Sequence, residues 1–402
     1  MCERLALKHI RLGIVGLGRG FMLTLPALRA HPAVQLSAAH DLRDEALVRF
    51  ESQFGATVHR TYEALLADSG VDAVYIATPH ELHAAQAIAA LEAGKHVLVE
   101  KPMATSVGDC AAMARAAEKA GKVLMVGPSH AFDEPVRVAA ELVATGRFGN
   151  VRLVNAFNYT DFMYRPRRPE ELDSRRGGGV VYSQAAHQID VVRRLVHQPV
   201  ESVRAVAANW DASRPSEGAY SALMTFASGA AATLTYSGYA HYDSDELLGW
   251  ISELGRPKDP ARYGEARKAL KQLSQQDEID AKLARTFGSA SAGDPAGAPH
   301  HEHFGFVLVS CERADLKLLP ASIEVFGDER RETIPVAPPT LPRANVIDDF
   351  AASILGARPP VHDGWWGLET MACCAALLES SRIATDVKPQ TIIQESKGNT
   401  IQ

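Results

Sequence analysis

Three groups of residues in this 402-residue chain have types and spacings that could do chemistry. The first is the run Gly13-Ile-Val-Gly16-Leu-Gly18-Arg19-Gly20-Phe21, fed by a β-branched stretch at 10–15 and followed by a helical pattern. Glycines at such a place let the backbone bend sharply and approach a pyrophosphate, whose charge a helix N-terminus favours. Asp41 closes the second expected strand, 25 residues after Gly16, where a carboxylate can accept a hydrogen bond from a ribose 2′-OH. Gly16, Gly18, Arg19, Gly20, Phe21 and Asp41 are therefore candidate dinucleotide ligands. NAD is the expected cofactor because Asp41 would repel a 2′-phosphate, with NADP, served by Arg43, as the alternative. The usual spacing puts a small residue at 21, where this chain has Phe, so a purely structural turn could use the same glycines.

The second group is Gly177-Gly178-Gly179-Val-Val-Tyr-Ser183-Gln-Ala-Ala-His187-Gln-Ile-Asp190, a glycine-rich turn before a helix. At about 100° per residue, Ser183, His187, Asp190 and Arg194 share one stripe and Ala185, Ile189, Val192 and Val196 the opposite one. One face is expected to pack and the other to line a cleft. His187 taken alone reads as readily as a core or capping histidine.

The third group is a cluster of five arginines, Arg165, Arg167, Arg168, Arg175 and Arg176, just upstream of that helix. Glu170, Glu171 and Asp173 lie among them, so a solvated, self-paired loop is the plainer reading. Planar guanidinium groups at a cleft edge would instead recognise carboxylates. His300-His301-Glu302-His303 lacks the i, i+4 helical spacing of a preformed zinc site, and no metal is expected.

The elements that position these groups change character along the chain. Strands at 10–15, 34–40, 71–77, 96–99 and 123–126 alternate with helical stretches, the signature of βαβ crossovers and a parallel sheet. After about 128, alternating strand-like segments follow one another with few helices between them, which predicts an open, mostly antiparallel sheet in an α+β domain. The expected division is 1–128 and 129–402, with a helical insertion and low-complexity linker at 243–299. The charge-free stretch 218–242 is broken by Ala227-Ser228-Gly229 and reads as two strands and a turn, not a membrane span. Two helices split by Pro359-Pro360 and a frayed terminal dozen complete the reading.

Composition narrows the class. Apolar residues make up 46% and charged residues 22%, as in a soluble globular protein. A net charge of −6 argues against nucleic-acid binding, which needs a cationic surface. Five cysteines without a CxxC exclude a disulfide scaffold and suit a reducing compartment. Residues 1–11 carry charges without an apolar h-region, so a cytoplasmic protein is expected.

Two further blocks carry a resemblance. Ala77-Thr78-Pro79-His80-Glu-Leu-His83 and Ala93-Gly-Lys-His-Val-Leu-Val-Glu100-Lys101-Pro102, spaced behind the glycine turn, closely resemble the Gfo/Idh/MocA family of nicotinamide oxidoreductases. The resemblance implies a Rossmann domain followed by an open-faced sheet domain, and a homo-oligomer (dimer or tetramer). It also implies cofactor contacts from Thr78, Pro79, His80, His83, Glu100 and Lys101, with Lys101 moving the substrate proton. A lysine beside a cationic nicotinamide is disfavoured as ammonium, which suits that task. His187 matches the family's active-site histidine, but Ser183 stands where an aspartate is usual.

Within the family, Phe162-Met-Tyr164-Arg-Pro-Arg-Arg-Pro-Glu-Glu-Leu and Ser310-Cys-Glu-Arg-Ala-Asp-Leu resemble bacterial phthalate cis-dihydrodiol dehydrogenases. That implies oxidation of a carboxylated cis-dihydrodiol to a catechol carboxylate, with Tyr164, Arg165, Arg167, Arg168, Arg176, Ser183 and His187 at the substrate. The alternatives are a sugar or inositol dehydrogenase, which predicts Asp at 183 and fewer arginines, and a non-catalytic nucleotide-binding regulator. A glycosidase using NAD transiently is a third.

Overall fold

A computed structural model describes residues 9–239, 241–289, 297–338 and 341–398. The chain forms two compact units. The first comprises Met1–Pro128 with Asp280–Gly297 and Leu341–Leu368; the second comprises Ser129–Ile279, Ala298–Thr340 and Glu369–Gln402. This corrects the expected single division. Two segments assigned by position to the second domain instead pack with the first unit, because burial follows apolar side chains and not chain order.

The first unit holds β1 (Ile10–Val15), α1 (Arg19–Ala30), β2 (Val34–His40), α2 (Asp44–Phe54), β3 (Thr57–His59), α3 (Tyr62–Ala67), β4 (Ala73–Ile76), α4 (His83–Glu92), β5 (His96–Val99), α5 (Val107–Ala120) and β6 (Leu124–Val126). The strands are ordered β3-β2-β1-β4-β5-β6 and every pair is parallel, the doubly wound arrangement that binds dinucleotides at its strand C-termini. Ala73, Val74, Tyr75 and Ile76 are all 0% exposed, as a strand covered on both faces requires. Helices start where the sequence supplies caps: the Thr61 side chain accepts the Ala64 N–H at 3.2 Å, and Ser106 accepts that of Asp109 at 3.1 Å.

The second unit is built on an eight-stranded sheet. Its elements are α6 (Glu134–Ala144), β7 (Val151–Tyr159), α7 (Ala186–Val196), β8 (Val200–Ala208), β9 (Ala219–Phe226), β10 (Ala231–Ser237), α8 (Glu265–Leu270), α9 (Gln275–Leu283, which runs past the unit's edge), β11 (Phe306–Cys311), β12 (Ala314–Leu319), β13 (Ser322–Gly327) and β14 (Arg331–Pro335). The order is β14-β13-β12-β11-β7-β10-β9-β8, antiparallel throughout except between β7 and β10. One face is core: Val154, Leu234, Val309, Leu316 and Ile323 are all 0% exposed. The charge-free stretch forms the β9–β10 hairpin, and no helix among the described residues is long and apolar enough to cross a membrane.

Three helices complete the chain: α10 (Ala344–Ile354), α11 (Gly364–Ile383) and α12 (Pro389–Gly398). The last of these corrects the frayed end, and Pro389 at its first position is a start signal, since proline there forfeits no helical hydrogen bond. Of the low-complexity run 288–299, residues 290–296 lie outside the described residues, as do residues 399–402 of the expected frayed end.

Candidate active site

In the first unit the glycine turn has the shape a pyrophosphate needs. Gly16 adopts φ +90°, and a Cβ there would lie 2.8 Å from the Ala77 carbonyl. Gly18 leads α1 with extended backbone and no side-chain cap, which leaves the positive end of the helix to an anion. The chain fits a dinucleotide at this turn. Half-buried Arg19 opens the helix behind it. Phe21 is a different matter: it is 0% exposed, with ring centroids 6.0 Å from Phe50 and 5.4 Å from Phe287, and it belongs to the core and not to a cofactor surface. The third small residue of the usual spacing lets helix and strand approach closely; here Phe21 stands at that position and packs its ring on Phe50 of α2 and on Phe287.

Asp41 lies at the tip of β2, with its carboxylate accepting the Leu17 N–H at 2.7 Å and the Arg43 N–H at 2.8 Å. Beyond β4, Thr78 donates to Gln86 at 2.6 Å, and the half-exposed to exposed Thr78, Pro79 and His80 form a loop at the strand end. His83 does not share that surface. It is 0% exposed, its ring nitrogens lie 2.9 Å from the Pro102 carbonyl and 3.0 Å from that of Thr78, and burial lowers its pKa. His83 therefore ties the loop after β4 to the loop after β5 and cannot itself touch a cofactor.

Half-buried Lys101 follows β5, where the Glu100 N–H donates to the Ile76 carbonyl at 2.9 Å. The Glu100 carboxylate accepts the Tyr75 hydroxyl at 2.6 Å and lies 3.4 Å from Arg343. A Cβ on Gly20 would come within 2.7 Å of it, so Glu100 braces the first turn of α1 from beneath.

In the second unit His187 is 7% exposed. Its Nδ1 accepts the backbone N–H of His130 at 3.3 Å, which leaves the ring proton of a neutral imidazole on Nε2. The His130 and Phe304 rings pack on it at 4.6 and 4.9 Å. His130 Nδ1 lies 2.6 Å from Asp133, and although burial opposes its charge, that carboxylate raises its pKa. Sequence reasoning missed His130, Asp133 and Phe304; the i, i+3 spacing of His130 and Asp133 is the signal that could have found the pair.

The expected open stripe is not formed. Val181–Ala185 is a π-helical turn, which breaks the 100° spacing, and α7 is buried on all sides from Ala186 to Arg193. Asp190 accepts hydrogen bonds from Ser129 at 2.8 Å and from Thr370, while the half-buried Ser183 hydroxyl donates to the Gly179 carbonyl.

The arginine cluster is largely paired within itself and its surroundings. Arg165 donates to Asp161 at 2.7 Å and to Glu253 at 3.3 Å; burial opposes its charge, but Glu253 and Asp161 outweigh burial and raise its pKa. Arg167 lies 3.5 Å over the Phe162 ring and donates to the Phe162 carbonyl at 2.9 Å, with burial lowering its pKa. Arg167, only 10% exposed at the side chain, is structural, which corrects its assignment to substrate, whereas the Arg165 side chain is 37% exposed. Arg175 pairs with Asp173 at 3.0 Å. Arg168, 37% exposed at the side chain and 3.2 Å from Glu170, and exposed Arg176 are the members facing solvent most openly among those proposed for substrate, apart from Arg165. Tyr164 is half-buried beneath the Arg267 guanidinium at 4.2 Å. His303 is bonded to the Ile251 carbonyl at 2.8 Å and accepts the Gly305 N–H at 3.1 Å; among the described residues no group of three His, Cys, Asp or Glu is placed to hold a metal ion.

Comparison with known proteins places this architecture. Residues 10–128 match the oxidoreductase family with NAD-binding Rossmann fold, and residues 136–250 match the GFO/IDH/MocA C-terminal domain. The chain belongs to the Gfo/Idh/MocA family of oxidoreductases, and residues 10–128 of its first unit are the family's NAD-binding domain. It is 46% identical over 377 residues to the 1-carboxy-3-chloro-3,4-dihydroxycyclohexa-1,5-diene dehydrogenase of Comamonas testosteroni, covering 93% of this chain and 95% of that one. A crystal structure from Bordetella bronchiseptica RB50 superposes with a TM-score of 0.89 at 41% identity, covering 94% of this chain and all of that one. An Agrobacterium radiobacter oxidoreductase crystallised with NAD+, L-tartaric acid and magnesium shares the fold, with a TM-score of 0.71 at 17% identity over 96% of this chain and 99% of that one.

Proposed function

We propose that this enzyme oxidises a carboxylated cis-dihydrodiol of the phthalate 4,5-cis-dihydrodiol type to the corresponding catechol carboxylate, in aromatic catabolism. The observation that carries the reading is the near full-length identity to a dehydrogenase of a carboxylated dihydroxycyclohexadiene. Gly16, Gly18, Arg19 and Gly20 would hold the NAD pyrophosphate, and the Thr78–His80 loop the nicotinamide end. Bound NAD supplies the hydride acceptor. Lys101 Nζ, as the neutral amine, takes the hydroxyl proton as the carbinol carbon becomes a carbonyl. The product ketone then moves its ring proton to oxygen and becomes aromatic, which draws the reaction forward. His187, with its proton on Nε2, serves as a hydrogen-bond donor to substrate. Arg168 and Arg176 are the carboxylate-binding candidates, with guanidinium geometry suited to a planar anion.

The open face of the second sheet carries Leu153, Val206 and Leu223, 37, 65 and 43% exposed. A second copy of the chain covering these apolar side chains is the proposed oligomer.

The test mixes purified protein with NAD and either carboxylated cis-dihydrodiols or polyols, and follows NADH absorbance. Turnover of dihydrodiols is expected. Turnover of polyols alone would assign the site to a sugar or inositol dehydrogenase, and no NADH from any alcohol would overturn the dehydrogenase reading.

A further inference from the structure

Arg43 has five N–H donors, and all five are bonded. Its Nε donates to Asp41 Oδ1 at 3.0 Å, its Nη1 to the Thr286 hydroxyl at 2.6 Å and the Phe287 carbonyl at 3.0 Å. Its Nη2 donates to the Leu17 carbonyl at 2.9 Å and to Asp41 Oδ2 at 3.1 Å. With the Leu17 and Arg43 backbone N–H groups, Asp41 receives a donor at each of its about four lone-pair sites. Both Nη1 bonds end on a segment more than 240 positions later in the chain, within the same unit.

That segment is firmly held. Phe287 is 3% exposed and packs against Phe21, Phe50 and Phe54 with centroids at 5.4, 6.0 and 6.0 Å. Its N–H donates to the Leu17 carbonyl at 3.1 Å. Gly288 then turns at φ +89°, where a Cβ would stand 3.0 Å from Ala46 Cα.

The end of the second strand of a Rossmann domain is where adenosine ribose is distinguished: a carboxylate meets the 2′-OH, and an arginine nearby accommodates a 2′-phosphate. To clasp a phosphate, a guanidinium must offer parallel N–H donors. Arg43, 32% exposed at the side chain, lies at that position with its donors committed elsewhere. We propose that Thr286 and Phe287 form a cofactor-selectivity element: by fixing Arg43 against Asp41, they withhold the cation a 2′-phosphate would need and restrict the enzyme to NAD. The ribose hydroxyls can still reach Asp41 by displacing the longer Arg43 bond, an exchange the phosphate's added charge makes costly. The proposal rests on NAD binding by the first unit and adds to it a determinant located in the late insertion.

Calorimetric titration of the full-length protein with NAD and NADP tests it. Wild type is expected to bind NAD at least about tenfold more tightly than NADP, the worth of one charged hydrogen bond. In Thr286→Val/Phe287→Ala, NADP affinity should rise by about tenfold or more while NAD affinity stays within about threefold, and adding Arg43→Ala should cancel the NADP gain. Thr286→Val alone keeps the aromatic cluster and should shift NADP affinity in the same direction by a smaller factor, so the test survives a Phe287→Ala variant that fails to fold. Equal binding of NAD and NADP by wild type, or unchanged NADP affinity in Thr286→Val, would overturn the proposal. Failure of wild type to bind NAD at all is a separate result, which would strike the cofactor reading itself.

Discussion

In the first unit the candidate chemistry is framed by backbone shape, and in the second by buried charge. Around the glycine turn the decisive features are a positive φ at Gly16, a helix end without a side-chain cap, and loops tied together through carbonyls by His83. In the second unit they are ionic: His130 with Asp133 beside His187, Arg165 with Asp161 and Glu253, and elsewhere in the unit Arg214 bidentate on Glu278 at 3.2 and 2.9 Å. A backbone site tolerates changes of side chain provided no Cβ intrudes. A charged one tolerates a change of shape better than the loss of a single partner, because the survivor is left uncompensated in low dielectric.

Three substitutions and one neutral control, Arg175, sharpen that contrast, the three taken from the largest effect to the smallest. Lys101→Met should lower turnover by about 10²–10⁴-fold, the contribution of a positioned proton acceptor, while calorimetry shows NAD affinity retained. Retained turnover would remove Lys101 from the chemistry. Arg214→Ala leaves Glu278 buried, both side chains being only 5 and 11% exposed, and should cost about 3–5 kcal/mol in denaturant unfolding. The exposed Arg175, changed in the same way, should leave the unfolding midpoint where it was. Gly16→Ala combines a positive φ with a Cβ crowding the Ala77 carbonyl and should cost about 1–3 kcal/mol, together with a loss of NAD binding measured by calorimetry. Wild-type NAD affinity in that variant would show that the turn yields more readily than its geometry suggests.

The last effect is one of pH. Burial pushes the Asp245 carboxyl up from 3.8 to about 7, with Lys258 at 3.0 Å pulling the other way. The folded state then holds its proton more tightly than the unfolded chain. Its stabilising contribution is complete below pH ~4 and is lost as pH rises towards ~7. Asp245→Asn should therefore flatten the fall in Tm across that window; an unchanged slope would mean that this carboxyl titrates normally.

The same contrast decides what was legible in the sequence. The glycines could be placed from order alone, since a backbone requirement leaves its residue type at a fixed spot, and the stretch from Glu100 to Pro102 from its family resemblance. The partners of Arg165 and Arg167 could not: Glu253 lies 88 positions from the first and Glu278 accepts the backbone N–H of the second from 111 positions away. No local pattern reports such pairs, and the only partners visible from the sequence are the neighbouring Glu170, Glu171 and Asp173. The stripe through His187 failed for a related reason, because a π turn adds a residue that 100° spacing does not anticipate. Strand Thr57–His59 and helix Tyr62–Ala67 are too short to establish a period. Strand Ala314–Leu319 does alternate in burial, with Asp315 and Lys317 on the more open face, and the apolar Leu319 at the third such position blurs the pattern.

The discontinuous first unit also carries a consequence for synthesis. Chains fold from the N-terminus as they leave the ribosome, yet this unit draws its last segment from Leu341–Leu368 of a 402-residue chain. The six parallel strands can assemble once residue 128 has emerged, but Phe21 and Phe50 then await Phe287, and Glu100 awaits Arg343. A nascent chain halted between those points would carry a glycine turn ready for nucleotide, with a hydrophobic notch beside it and an unneutralised carboxylate beneath. Completion of the cofactor domain thus waits on residues translated after most of the second unit, even though most of the domain is translated before that unit.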